Sequence, residues 1–322
     1  MTDFSSVPTD LFPETGPAAA GPAGVLEVVA ADRALAEAQA GQPRRRRQRK
    51  GIMFWLAVGW IALVTFCAIF ADYLPFVRSY SKIYPAFKKP PSTTFWFGTD
   101  KIGHDVFART VYGARLSLAI AGASIVLGLF FGGILGLAAG YYRRKVDTVI
   151  STGVDIMLAF PALILLLAIT AFLTPSARTV ILALAILSIA PLTRIVRANT
   201  LVYSQREFVL AAKSLGAKDR RILFREVLPN IVPAMLAFAL TGLAVLIVAE
   251  GALAFLGQSV PPPIPTWGKL IDDGRQDLET AWWISLLPAA VMFLTILAFN
   301  IMGDVLTPLP PGRRTAWPAR RP

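Results

Sequence analysis

Six long runs of apolar residues, separated by shorter polar or proline-bearing stretches, constrain this chain more than anything else in it. They lie at roughly Ile52 to Ala71, Leu116 to Gly140, Val149 to Leu173, Thr179 to Val196, Ile231 to Phe255 and Trp283 to Met302. Each is close to the ~20 residues that a helix needs to cross a bilayer core. Lipid offers no partner to a backbone amide, so a spanning segment must satisfy its own hydrogen bonds. Runs this long and continuous do so as helices, not as the alternating strands of a barrel. Composition agrees: 55% hydrophobic against 16% charged residues and a mean hydropathy of +0.58 are too apolar for an ordinary soluble domain. The expected fold is an all-α membrane protein with six transmembrane helices.

Charge is scarce and unbalanced, with 32 Lys and Arg against 20 Asp and Glu. The run Arg44-Arg45-Arg46-Arg47-Gln48-Arg49-Lys50 abuts the first apolar stretch, which is internal and followed by Asp72-Tyr73-Leu74-Pro75 with no small-residue cleavage site. A retained span is therefore expected, not a signal peptide. A basic run joined to a span fits a cytoplasmic anchor beside anionic membrane lipid, and nucleic acid is not an expected partner. With a cytoplasmic amino terminus, most remaining basic residues, including Arg143 to Lys145 and the cluster from Arg194 to Arg225, also fall on the cytoplasmic side. Both termini are thus expected in the cytoplasm. Three regions follow: residues 1–50, a disordered cytoplasmic tail ending in the polybasic run; 51–307, the membrane domain; and 308–322, a cytoplasmic tail. Ala, Gly, Pro and Thr dominate the first 43 residues, and such a segment buries too little apolar surface to offset its ordering entropy.

One cysteine, Cys67, and one histidine, His104, leave no intrachain disulfide and no multi-histidine zinc site. Asp and Glu are scattered, which argues against a membrane-embedded enzyme. No GxxxxGK followed by Ser or Thr occurs, so the chain holds no phosphate-binding loop of that kind, and no cofactor is expected on it.

The segment Gln205 to Gly216, continuing to Leu228-Pro229-Asn230, carries the most information. Phe208, Ala211, Ala212 and Leu215 recur at i, i+3, i+4 and i+7 and predict one apolar face of a short helix outside the membrane. Gly216 ends it with a positive φ, and Lys218 to Val227 begin a second segment that Pro229 and Pro233 turn into the fifth span. Periodicity alone leaves two readings open, a helix lying on lipid and a helix received by a partner protein.

The spacing of Ala211-Ala212, Gly216 and Leu228-Pro229 resembles the EAA loop in permeases of binding-protein-dependent ABC importers. The resemblance implies that Glu207, Ala211, Ala212, Leu215, Gly216, Leu228 and Pro229 form a coupling site for separate ATPase subunits, which bind the ATP and Mg. Leu210 stands where that motif has a glutamate, and Glu207, almost one turn earlier, is the nearest substitute. Gly98-Thr99-Asp100-Lys101-Ile102-Gly103-His104-Asp105 with Arg109 and Tyr112-Gly113, and Glu250 to Gly257 with Pro265-Thr266-Trp267-Gly268, are similar to segments of dipeptide and oligopeptide permeases, in which an arginine replaces His104. The resemblance covers about residues 52–307. It implies the type I ABC importer permease fold and a bacterial plasma-membrane location. It also implies half of a pore for peptides, completed by a second permease, ATP-binding subunits and an extracytoplasmic solute-binding protein. The same architecture also imports nickel complexes and other small solutes, and an ion-driven secondary transporter is the rival without an ATPase.

Within the spans, Asp155 and Glu250 must face protein or water, because an unpaired charge in lipid costs a few kcal/mol; with Pro161 they are the candidates for the translocation pathway. Each also has a structural reading: Asp155 hydrogen-bonded within the bundle, Glu250 capping or snorkelling at the outer end, Pro161 fixing a permanent kink. Pro191 is expected to interrupt the fourth span as Pro161 does the third. Arg194 and Arg197 are expected to complement a helix dipole and reach headgroups. Gly128, Gly132, Gly133, Gly136 and Gly140 predict a close helix-packing interface, against either this chain or a partner. Trp267, Trp282 and Trp283 are expected in an interfacial aromatic belt.

Overall fold

The structure is a computed structural model and describes residues 51–307; the two expected tails, 1–50 and 308–322, lie outside the described residues. Among the described residues the regular structure is helical, with only two isolated antiparallel bridges, Ile83 to His104 and Thr99 to Asp105. The helices are α1 (Ile52–Ile69), α2 (Val106–Tyr142), α3 (Arg144–Ala159), α4 (Ala162–Ala171), α5 (Ala177–Tyr203), α6 (Glu207–Ser214), α7 (Asp219–Arg221), α8 (Leu228–Phe255), α9 (Trp267–Gly274), α10 (Leu278–Ala281) and α11 (Trp283–Leu306).

Five helical stretches are long and apolar enough to cross a membrane: α1, α2, α5, the run Asp219–Phe255 and α11. The third expected span is not one helix. α3 and α4 meet at a 90° bend and supply a sixth crossing only as a broken pair. The break has a local cause: the Pro161 ring disfavours helical backbone at the residue before it, and Phe160 is extended at φ −80°, ψ 134°. Pro191, by contrast, lies inside an uninterrupted α5, so the expected interruption of the fourth span does not occur. Nor does a turn separate Lys218 to Val227 from the fifth span, because α7 runs through a π-helical stretch, Ile222–Val227, directly into α8. Pro229 falls just past the junction of the π-helical stretch with α8, inside this continuous helical run.

The most extensive helix pair is α2 with α5. Gly128, Gly132, Gly136 and Gly140 recur every four residues, forming one stripe along α2 that meets Ser188, Leu192, Val196 and Thr200 of α5. The expected small-residue interface is therefore internal to the chain along this stripe; Gly133 points instead toward Met235 of α8. The central core gathers around Ile120, Leu166, Leu184, Ile247, Leu253 and Trp267, and a second core, at the end where α6 lies, around Val196, Val209, Ile222, Val227 and Ile231.

At the opposite end the α1–α2 connection forms a hairpin-like cap. Gly98 (φ +74°) and Gly103 (φ +96°) allow its turns, and a side chain on Gly98 would reach 2.5 Å from the Lys89 carbonyl. Asp105 caps α2, accepting from the amides of Phe107 at 2.9 Å and Ala108 at 3.2 Å. Asp100 accepts from the Ile102 and His104 amides at 2.9 and 2.8 Å and lies 2.9 Å from both the Arg109 guanidinium and His104 Nδ1. Burial alone would raise its pKa, but the His104 amide and ring and the Ile102 amide together hold the carboxyl below its usual value. Two of the three tryptophans expected in an aromatic belt are instead buried here: Trp267 donates to the Thr110 carbonyl at 3.0 Å and Trp283 to that of Thr99 at 3.3 Å.

Candidate functional site

The loop between α5 and α8 takes its shape from two capping events. Arg206 precedes α6 in extended backbone, and Gly216 closes it at φ +78°. The Gly216 amide donates to Lys213 O at 2.9 Å and the Ala217 amide to Ala212 O at 3.0 Å, the paired bonds of a Schellman turn. The expected short helix and its glycine stop are both present. Its inward side differs from the expectation. Val209 is fully buried in the second core and Ala212 packs beside it, whereas Phe208 is 40% exposed, Leu210 52% and Leu215 88%. Ala211 and Glu207 are exposed as well. Of the apolar set read from periodicity, only Ala212 turns inward. The remainder, joined by Leu210, forms an uncovered apolar surface with the Glu207 carboxylate in the first turn, where the helix dipole favours it.

This surface stands on a braced base. The Tyr141 hydroxyl at the end of α2 donates to Asp219 at 2.6 Å, and the Lys213 ammonium lies 4.8 Å from the Tyr141 ring centroid. Ile222 and Val227 are fully buried beneath α6, Leu228 is partly buried against the same core, and Pro229 is exposed. The bracing by Tyr141 escaped the sequence reading, because Tyr141 and Asp219 are 78 positions apart.

A second constellation joins α3 to α5. Asp147, Ser151 and Asp155 recur at i, i+4 and i+8 on one side of α3. Arg197 grips Asp147 with two nitrogens, Ser151 donates to Asp147 at 3.1 Å, and Arg194 meets Asp155 at 2.5 Å. Arg194 and Arg197 thus pair with carboxylates of α3, which corrects their expected placement toward headgroups. The i+4 and i+3 spacings were visible in sequence, but nothing there says which helix faces which. Asp155 and Arg194 remain 62% and 57% exposed at the side chain, and Pro161 is exposed at the break that follows.

Glu250 lies apart from both groups and is fully buried. Ser259 donates to it at 2.9 Å and Ser117 at 3.3 Å, and the Thr266 side chain and the Gly268 amide also bond to it. Ser117 in turn accepts from the Trp267 amide at 3.1 Å. Glu250 therefore ties α9 to α2 and α8; it does not snorkel outward, and it presents no surface to a pathway in this conformation.

Residues 128–309 match the family model described as the inner membrane component of binding-protein-dependent transport systems. A dipeptide transport system permease protein from Alkalihalophilus pseudofirmus is 40% identical over 254 residues, covering 78% of this chain and 84% of that protein. A glutathione transport system permease protein from Pectobacterium atrosepticum is 37% identical over 248 residues, covering 77% and 82%. Among solved structures, the inward-facing MetNI methionine ABC transporter aligns with a TM-score of 0.53 at 18% identity, over 62% of this chain and 94% of that one.

Proposed function

The chain belongs to the family of binding-protein-dependent transport system inner membrane components, and from that premise we propose how it works as half of the translocation pore of an ATP-driven importer of small peptides. It is a multi-pass membrane transport component with the type I ABC importer permease fold, and not an enzyme. The observation that carries the mechanism is the uncovered apolar face of α6, rigidly braced on α2, α5 and α8. A helix lying on lipid would not need such a base; a helix that receives force from another protein does.

In this reading α6 is the coupling helix. Phe208, Leu210, Ala211 and Leu215 seat in an ATP-binding subunit, Glu207 supplies the carboxylate at the rim, and Ala212, Gly216, Leu228 and Pro229 set the helix's pose. The ATPases hold ATP and Mg, a second homologous permease completes the pore, and an extracytoplasmic binding protein delivers the cargo. Both termini and α6 then lie in the cytoplasm of a bacterial inner membrane. Nucleotide and loaded binding protein each favour one of two pore states, and that differential affinity drives the cycle. Asp155 and Pro161 stand along the pathway, with the bend at Phe160–Pro161 shaping its wall.

Gly216→Pro tests the coupling assignment. Proline cannot adopt φ +78° and removes the amide that bonds Lys213, yet Gly216 has open space around it, so the membrane core is left alone. In the reconstituted assembly, ATPase stimulation by peptide-loaded binding protein should fall at least about tenfold, while the purified chain keeps its wild-type melting profile. Wild-type stimulation in this variant would exclude α6 as the coupling element. Peptide as cargo is supported by the dipeptide and glutathione permeases among the relatives. Purifying the binding protein with its ligand tests it: a nickel complex or another solute there overturns the cargo and leaves the permease reading standing.

A further inference from the structure

Asp155–Arg194 is, among the described residues, the one exposed ion pair with both members inside an apolar run of spanning length. Charge inside such a run is costly wherever it meets lipid. Arg194 has a long stem that can bend toward headgroups, but Asp155 has a single methylene and holds the guanidinium at 2.5 Å, so neither escapes by snorkelling. The face that carries them therefore meets water or protein. It continues as a polar stripe: Asp147 with Arg197, then Ser151, then Asp155 with Arg194, climbing about 12 Å along α3. The stripe runs from the α6 end of the bundle toward the break at Phe160–Pro161, and Thr152 beside it is exposed.

We infer that this stripe lines a water-filled conduit and that Asp155–Arg194 is its substrate contact, with the Asp155 carboxylate meeting a cationic group of a peptide and the Arg194 guanidinium meeting an anionic one. This rests on the peptide-importer reading above. An exposed ion pair is weak, so opening it costs little. A zwitterion replaces one neutral pair by two new pairs without changing the net charge of the site, whereas a solute of a single sign leaves one member unpaired. Glu250, the other acidic residue inside one of the six apolar runs, is sealed among hydroxyls and cannot serve this role.

The test uses the full transporter in proteoliposomes on a Cys67→Ser background, which removes the chain's only cysteine. With a membrane-impermeant maleimide present on both sides of the membrane, a Thr152→Cys variant should react, as should Thr94→Cys in the exposed connection between α1 and α2; labelling of the second alone shows the stripe covered and overturns the inference. Uptake is then compared for a dipeptide blocked as its C-terminal amide, which keeps only the cationic terminus, and the same dipeptide N-acetylated, which keeps only the anionic one, with their affinities for the binding protein measured. Asp155→Asn should lower uptake of the amide relative to the acetylated form by about fivefold, the scale of one partly hydrated charge contact, and Arg194→Gln should shift the ratio the other way. If both variants scale every peptide alike, the pair is a structural clamp and the inference alone fails. If the wild-type assembly imports no peptide at all, the cargo reading fails and takes the inference with it.

Discussion

Gly136→Ala offers a demanding test of the packing between α2 and α5. A methyl group built on Gly136 would lie 2.6 Å from Val196 Cβ and 2.7 Å from the Thr193 carbonyl oxygen, where carbon contacts settle at about 3.5–4.0 Å. Neither neighbour can yield cheaply: Val196 is fully buried, and the oxygen belongs to the α5 backbone. Relief requires the two helices to separate by about 1 Å, which also loosens the contacts at Gly132 and Gly140. Overpacking of this kind costs about 1–3 kcal/mol, and the shared stripe places Gly136 toward the upper end. Replacing a helical glycine by alanine returns up to about 1 kcal/mol, so the net loss should be about 2 kcal/mol. Gly59 in α1 is the matched control, because nothing lies within 4 Å of a side chain there. The same substitution at Gly59 should be neutral or stabilising by up to about 1 kcal/mol. Reversible unfolding of the purified chain in mixed micelles measures both. Equal stabilities for Gly136→Ala and Gly59→Ala would refute the close approach of α2 and α5.

Glu250→Leu should cost at least about 3 kcal/mol, because it strands the hydroxyls of Ser117, Ser259 and Thr266 in a dry site, whereas Glu250→Gln keeps most of their partners and should lose far less; equal losses in the same unfolding assay would show that these bonds do not hold α9. The hairpin-like cap should be acid-sensitive through Asp100. Its carboxyl is held below the unfolded value, so its stabilisation is complete above about pH 4 and is lost as pH falls through the lower folded pKa. Asp105, whose carboxyl burial pushes upward, acts in the opposite sense. The wild type should therefore show a tryptophan-fluorescence change from Trp96 and Trp283 below about pH 4 that is reduced in Asp100→Asn, and identical acid transitions would exclude Asp100 as its source.

Much of this architecture was legible because lipid leaves a chain few options. Five of the six apolar runs located single crossing helices, and four-residue glycine spacing located the most extensive helix pair. Proline was harder to read. Pro161, Pro191, Pro233 and Pro288 give the same local signal, yet only Pro161 separates two helices. The difference lies in packing. Pro191 sits beside Leu192, which is fully buried against the glycine stripe of α2, so neighbouring contacts hold the helix straight across the missing hydrogen bond. Phe160 and Pro161 are exposed and have no such support. Sequence records the lost amide and not the neighbour that compensates for it.

For α6 the ambiguity was a different one. Periodicity picked out the face of Phe208, Ala211, Ala212 and Leu215, but Val209 and Leu210 put apolar groups on the other sides of this eight-residue helix too, so the pattern did not say which face turns inward. The choice is made from outside the helix, by Ile222 and Val227, which fill the space beneath Val209. That arrangement also has a mechanical consequence. A load on the outward face of α6 passes through fully buried contacts into α5 and α8, and through Asp219 and Tyr141 into α2, which is packed against α5 along the glycine stripe. α3 follows α2 through the single residue Arg143 and is joined to α5 by the ion pairs Asp147–Arg197 and Asp155–Arg194, the outer of which is more than half exposed. Exposed pairs are weak and exchange readily with other charges. The buried junctions therefore move together, while the outer part of the polar seam between α3 and α5, at Asp155–Arg194, can open at little energetic cost.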